Sequence, residues 1–332
     1  MDDVRWFAPN RYCTLPVPLL RRAGLRVATD GAAPARLAIA SDGKNAVEAF
    51  EYAARHRTPL VLYIWDLPPW WVGRGRPDLI FFAWGRIRRV PRIVGSYGRR
   101  AGFFSRIRYV ARRALQVWVP SHQTQRDVGT RFEVSSEVVP FCYDSDRFRA
   151  AAQDPTAPRG SVPAILSISR LVPHKNHAIV LRAAARLSRP VTVRIIGQGP
   201  EAGPLRDLAR HLGVELDLTD TWASDDDIVA AYRAATVVVS PSKFEGLGLT
   251  PLEGLALRRP VVASDIPPHR EFAGDAVQYF GPDDEVILAE RLAAILEHPT
   301  APPPPPYLSR LSIEACAERF GTRITAILAG LP

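Results

Sequence analysis

The chain has 332 residues, 47% of them hydrophobic, with a formal net charge of +9; that length favours two domains with sizeable cores over one. Three cysteines, Cys13, Cys142 and Cys316, are odd in number and widely spaced, which excludes a disulfide framework or a cysteine metal cluster and points to a reducing compartment. No apolar run nears the roughly 18 residues of a spanning helix, and Met1-Asp2-Asp3-Val4-Arg5 is wrong for a secretory signal, so a cytoplasmic protein is expected.

In chain order, the first half offers strands at residues 4–8, 37–40, 60–65 and 117–119. The loop after the first of these, residues 9–16, has no glycine. At the end of the third, Asp66 follows an apolar run and precedes two prolines; it either faces a ligand or caps a turn. The positive charge belongs to this half: residues 1–150 carry a net +12 and residues 151–332 a net −3. Residues 74–113 hold twelve arginines, among them Arg86, Arg88, Arg89, Arg99 and Arg100, against one acid, Asp78. Aromatics including Phe103 and Phe104 are threaded through them. That mixture suits an anionic lipid surface. It also suits nucleic acid, and it is equally what a solvated face over an aromatic core looks like.

The second half alternates more regularly. A strand at 164–169 leads to a helix from about His177, and a strand at 191–196 to a helix at 200–212. A strand at 214–218 is followed by a helix at 225–234. A strand at 236–239 leads to a helix capped by Thr250 with Pro251 in its first position, and a strand at 261–263 to short and long helices near 268–272 and 284–296. Alternation of this kind implies parallel sheets covered on both faces, with ligands at the carboxyl ends of the strands. After a proline run at 302–306, residues 313–328 have helical periodicity.

One segment carries more chemistry than the rest. Between Ser240 and Glu253, two carboxylates, Glu245 and Glu253, stand eight positions apart around Gly246-Leu247-Gly248-Leu249. Amides of Gly246 to Leu249 at a helix N-terminus suit a diphosphate, and glycine admits it closely. The alternative for Glu253 is a capping box back to Thr250.

This stretch, with Pro251-Leu252-Glu253 and the following Pro260-Val261-Val262-Ala263-Ser264, resembles the glutamate-seven-residues-glutamate motif of retaining GT-B glycosyltransferases of family 4. Ser167 to His177 resembles the family's strand-to-helix loop, so the resemblance implies that Arg170 and Lys175 hold the donor diphosphate. Taken alone, two cations five apart are a solvated surface pair. Gly197-Gln198-Gly199 looks like the family's glycine turn at the donor site, and the segment ending in Trp222 like the edge where the nucleobase packs. Asp66 matches a strand end that commonly carries His-Asp, with Trp65 where the histidine would be. The glycine-free loop at 9–16 departs from the pattern, and Cys142, where the family often has glycine, reads as packing.

The resemblance implies an α/β, GT-B fold: two Rossmann-like parallel-sheet domains facing each other across a cleft. Residues 1–150 are expected to bind the acceptor and 163–306 the sugar nucleotide, with a linker at 151–162 and residues 307–332 returning to the first domain. It implies a retaining, metal-independent glycosyltransferase that needs no cofactor, with a UDP- or GDP-sugar as donor and Glu245, Arg170, Lys175 and Asp66 at the reaction. Gly197, Gly199, Trp222, Gly246, Leu247, Gly248, Leu249 and Glu253 would line the donor, with Glu245 on the sugar hydroxyls and Glu253 on the ribose. The acceptor is expected to be a lipid-linked or cell-envelope glycan, with the enzyme peripheral at the inner face of the cytoplasmic membrane. Two other readings stand: a DNA-modifying glycosyltransferase acting on a hydroxylated base, and an NAD-dependent dehydrogenase built on Gly197-x-Gly199-x-x-Ala202.

Overall fold

The computed structural model describes residues 1–31, 33–67, 92–152, 162–298 and 303–331. They form two compact units, residues 1–142 with 313–332, and residues 143–312.

The first unit is built on β1 (Asp2–Phe7), β2 (Val27–Ala28), β3 (Ala35–Ala40), β4 (Leu60–Tyr63), β5 (Gln116–Val119) and β6 (Glu137–Val138), in the order β2-β1-β3-β4-β5-β6. Every pairing is parallel. Strands such as Leu60-Val61-Leu62-Tyr63 are apolar throughout because helices cover both faces. One face is covered by α2 (Ala46–His56), α3 (Arg92–Ala111) and α4 (His122–Phe132), which bury Ala49, Phe104, Ile107 and Val128. The other is covered by α1 (Val17–Arg22) and the C-terminal helix.

The second unit contains β7 (Ala164–Ile168), β8 (Thr192–Ile196), β9 (Glu215–Thr219), β10 (Val237–Ser240), β11 (Val261–Ser264) and β12 (Gln278–Phe280), ordered β12-β11-β10-β7-β8-β9 and again parallel. Its helices are α5 (Ser145–Ala152), α6 (His177–Ala184), α7 (Ala202–Leu212), α8 (Asp225–Ala234), α9 (Leu249–Ala256), α10 (Pro267–Ala273) and α11 (Glu285–Glu297). The chain runs from β7 outward to β9, then returns to the other side of β7 with β10. The strand order therefore reverses between β7 and β10, where the loops after the two strands part and leave a crevice.

The last helix, α12 (Ile313–Ala329), belongs to the first unit. The ring of its Phe320 lies 5.3–5.9 Å from those of Trp6, Tyr63, Trp118 and Phe141. Both crossings between units differ from the expected boundaries at 150 and 307. Tyr143 and Phe148 already pack in the second unit, where Phe148 meets Tyr232 at 5.6 Å, and Leu308 and Leu311 remain there. The Tyr143 amide donates to the Leu311 carbonyl at 3.2 Å, so departing and returning segments are tied side by side. No helix among the described residues is long and apolar enough to cross a membrane.

Candidate functional site

The loops that leave β7 and β10 at the strand-order reversal bring Lys175 and Glu245 together. After β7 the chain makes a 3-10 turn, Pro173–Lys175, and Asn176 takes a left-handed conformation (φ 56°) before α6. Lys175 Nζ thereby reaches Glu245 Oε1 at 2.5 Å. Burial would raise the Glu245 carboxyl, but the Lys175 ammonium beside it, with the Ser242 hydroxyl, holds it below its ordinary value. Arg170, on the same loop, is exposed and has no acidic partner among the described residues. His174 lies among these charges: burial first, then the Lys175 and Arg170 cations, lower it to about 4, so it is neutral at pH 7. An ion pair with a second cation free beside it is a surface prepared for an anion.

The glycines next to it have separate reasons. A Cβ at Gly197 would lie 1.8 Å from the Ser169 carbonyl oxygen, and one at Gly199 2.2 Å from that of Leu171. Both glycines let the loop after β8 pack under the loop that carries Arg170, which is fixed by the bond from the Leu171 amide to the Gln198 carbonyl at 2.8 Å. Gly248 has φ +84°, and a Cβ there would lie 2.7 Å from the His269 ring. His269 is buried, and its Nδ1 donates to the Ser264 carbonyl at 2.9 Å. That leaves Nε2 to accept from the Ser240 hydroxyl at 3.3 Å. The amides of Gly246, Leu247, Gly248 and Leu249 have no acceptor among the described residues, and they stand at the positive end of α9.

Helix α9 begins one residue before the expected cap. Gly248 is the N-cap and Leu249 the first helical residue, so Pro251 falls third. The Thr250 hydroxyl donates to the Ile168 carbonyl at 3.0 Å. No capping box forms: the buried Glu253 carboxylate instead accepts from the Tyr232 hydroxyl at 2.6 Å. Burial raises the Glu253 carboxyl above its ordinary value, and the Tyr232 hydrogen bond and the Arg147 cation oppose that shift. Trp222, after β9, is 84% exposed; an indole left uncovered on a strand-end loop is free to stack on a flat ring.

Sequence reasoning missed His174, His177, His269 and Tyr232. His177 is sandwiched by Ser167 Oγ at 3.0 Å and Ser169 Oγ at 2.9 Å, and burial lowers it to about 4. Its signal was present: serines two apart at a strand end lie on one face, opposite the first residue of the next helix. Tyr232 gave none, because an aromatic on the apolar face of a helix reads as core.

In the first unit, Asp66 is half-buried just beyond β4. Trp65 is a packing residue: its indole N–H donates to the Ser41 carbonyl at 2.9 Å and its ring lies 4.8 Å from that of Phe141. The glycine-free loop is a 3-10 turn, Arg11–Thr14, capped by Asn10 and held by the bond from Trp6 Nε1 to the Cys13 carbonyl at 2.9 Å. The expected arginine face is only partly visible. Arg86, Arg88 and Arg89 lie outside the described residues, and Arg99 and Arg100 lie on α3 ahead of its first described side chain. Phe104 does not belong to that face. Neighbouring residues on a helix point about 100° apart, so Phe103 is exposed while Phe104 is buried in the core.

Residues 149–309 match the family described as glycosyl transferases group 1. Among curated proteins, the chain is 31% identical over 190 residues to the MMP alpha-(1->4)-mannosyltransferase of Mycolicibacterium hassiacum, covering 55% of this chain and 43% of that protein. It is 30% identical over 226 residues to a GDP-mannose-dependent alpha-(1-6)-phosphatidylinositol monomannoside mannosyltransferase of Mycolicibacterium smegmatis, covering 60% and 58%. The chain thus spans about half the length of the curated relatives it matches. Among solved structures, sucrose-phosphate synthase from Thermosynechococcus elongatus superposes with a TM-score of 0.70 at 16% identity, covering 99% of this chain and 100% of that one. Anabaena HepE in complex with UDP and glucose gives 0.64 at 17%, covering 99% and 98%. The fold, two parallel α/β sheets of the GT-B kind, is common to them.

Proposed function

We propose that this chain, whose residues 149–309 match the glycosyl transferases group 1, moves a sugar from a nucleotide-sugar donor to a hydroxyl acceptor with retention at the anomeric carbon and without a metal ion. The observation that carries this reading is the Lys175–Glu245 pair at the strand-order reversal, with the Arg170 guanidinium free beside it and four amides of the β10–α9 loop pointing at no acceptor.

The leaving group in such a transfer is a nucleoside diphosphate that gains negative charge as the glycosidic bond breaks. Arg170, Lys175 and the amides of Gly246 to Leu249 take that charge, preorganised before reaction, and fixed cations of this kind serve where other enzymes place a metal. Glu245 holds the sugar hydroxyls through the oxygen that Lys175 leaves free. Glu253 takes the ribose diol, and Trp222 stacks on the base. The acceptor hydroxyl attacks from the face the diphosphate leaves and passes its proton to the departing β-phosphate. A UDP- or GDP-sugar is the donor: one curated relative is named for GDP-mannose, and a fold neighbour was solved with UDP. The acceptor is a lipid-linked or envelope glycan, in keeping with the phosphatidylinositol monomannoside acceptor in the name of one relative.

The dehydrogenase reading fails on position. Its glycine turn follows β8, a strand inside the order β7-β8-β9 and away from the reversal where a dinucleotide pyrophosphate binds, and both glycines are required by contacts with residues 169–171.

The test is substitution with the fold monitored. Glu245→Gln and Glu253→Gln each abolish transfer with an unchanged melting temperature, and Arg170→Ala and Lys175→Ala each cost transition-state binding of about 2–3 kcal/mol. Effects below about 0.5 kcal/mol would return the two cations to the ordinary surface. Transfer persists in excess EDTA; complete loss on chelation would overturn metal independence.

A further inference from the structure

The sugar-nucleotide site makes no use of the positive charge of the first unit, and the described part of α3 shows where some of it is displayed. From Gly102 onward the helix has two faces. Phe104, Ile107, Val110 and Ala111 are buried in the core, while Phe103, Arg106 and Tyr109, three residues apart, lie along the solvent side. Phe103 is 38% exposed, Tyr109 50%, and Leu115, just past the helix, 52%. Beside these groups lies a depression of about 310 Å³ lined by Ser105, Arg108, Tyr109, Arg112 and Arg113.

The depression is organised. Arg108 and Arg112 both donate to the exposed Glu133 carboxylate, the former at 2.9 Å. Arg113 lies 3.6 Å from the centre of the Tyr109 ring. Two guanidiniums therefore share one carboxylate, and a third lies over the adjacent ring. An exposed pair of this sort gains little in water, so an anion with more charge and three acceptor oxygens can replace Glu133 on Arg108 and Arg112.

We propose that this depression seats the phosphomonoester headgroup of an anionic phospholipid such as phosphatidic acid, with Phe103 entering the bilayer interface beside it, so that α3 docks the first unit on a membrane. Charge complementarity selects an anion, and the exposed Phe103 and Leu115 side chains beside the arginines select one embedded in an apolar phase. A free phosphate has no use for Phe103, and a nucleic acid would draw equally on Arg106 and the arginines of the depression. The proposal is independent of the donor site, because its test measures no sugar transfer.

The full chain is sedimented with phosphatidylcholine vesicles, alone or containing phosphatidic acid, at low and physiological salt, with single- and double-stranded DNA in parallel. Binding to the anionic vesicles only is expected. Arg106→Gln, which removes a charge outside the depression, weakens binding about fivefold, as one basic residue near an anionic surface should. Arg108→Gln and Arg112→Gln weaken it at least about twentyfold each, and Glu133→Gln strengthens it. Phe103→Ser weakens it at every salt concentration, because ring insertion is not electrostatic. Melting temperatures confirm that each variant is folded. Indifference to both vesicle types would overturn the proposal, as would equal effects at Arg106 and Arg112. So would release by millimolar inorganic phosphate with Phe103→Ser unaffected, which would make it a site for free phosphate, or tighter binding to DNA than to vesicles.

Discussion

Glu253 and Tyr232 illustrate what one hydroxyl does for a buried carboxylate. Burial pushes Glu253 up, and the Tyr232 hydrogen bond at 2.6 Å opposes that shift. Removing the hydroxyl by Tyr232→Phe therefore raises the carboxyl further. Donor affinity in the variant should fall off at a higher pH on the acid side than in wild type, in a titration of nucleotide affinity against pH; coincident profiles would show that Tyr232 only packs. His177 sets a pH effect on stability of the opposite kind. Its folded value is about 4 against an ordinary 6.5, so it is neutral in the native state and charged in the unfolded chain between those limits. Its contribution is complete above pH 6.5 and lost toward pH 4, at up to about 1.4 kcal/mol per pH unit. Denaturant unfolding of His177→Asn should show a shallower loss over that window. At this scale the sequence was most legible where backbone geometry limits the choice. Glu245, Lys175 and the glycines sit in turns with few solutions, whereas the sides taken by Phe103 and Phe104 depend on which helix face the core covers.

At the scale of elements, the long alternating pattern of the second half was readable because strands buried on both faces are continuous apolar runs, and α8 lies at the residues expected. Two-residue strands such as β2 and β6, and the three residues of β12, are too short to carry a pattern and exist by pairing with a sheet edge. The start of α9 was misread because Thr-Pro is a good local start, yet Gly248 can take φ +84° and begins the helix earlier. Loop packing supplies a further prediction. Gly197→Ala places a methyl group against the Ser169 carbonyl and forces apart the loops after β7 and β8. Its cost is about 3 kcal/mol by denaturant unfolding, with nucleotide affinity falling alongside as the Arg170 loop moves. Gly203→Ala, in open space on α7, should be neutral or slightly stabilising.

For the whole molecule, the chain leaves the first unit at residue 142 and returns at 313, and α12 completes the first core. The expected boundaries lay eight and six residues away because aromatic packing, here of Tyr143 and Phe148, leaves no mark in composition. Phe320→Ala should cost about 3–5 kcal/mol and appear as an earlier thermal transition of the first unit. The account as a whole rests on the second unit binding a sugar nucleotide through Lys175, Arg170 and Glu245. A thermal-shift panel of UDP-, GDP-, dTDP- and ADP-sugars against wild type and Lys175→Ala tests this most directly. A ligand at 100 times its Kd adds about 2.7 kcal/mol to the native state. One base should therefore raise the wild-type melting temperature with the logarithm of its concentration, and Lys175→Ala should lose most of that rise. No shift with any donor at millimolar concentration, or an equal shift in the variant, would contradict the account.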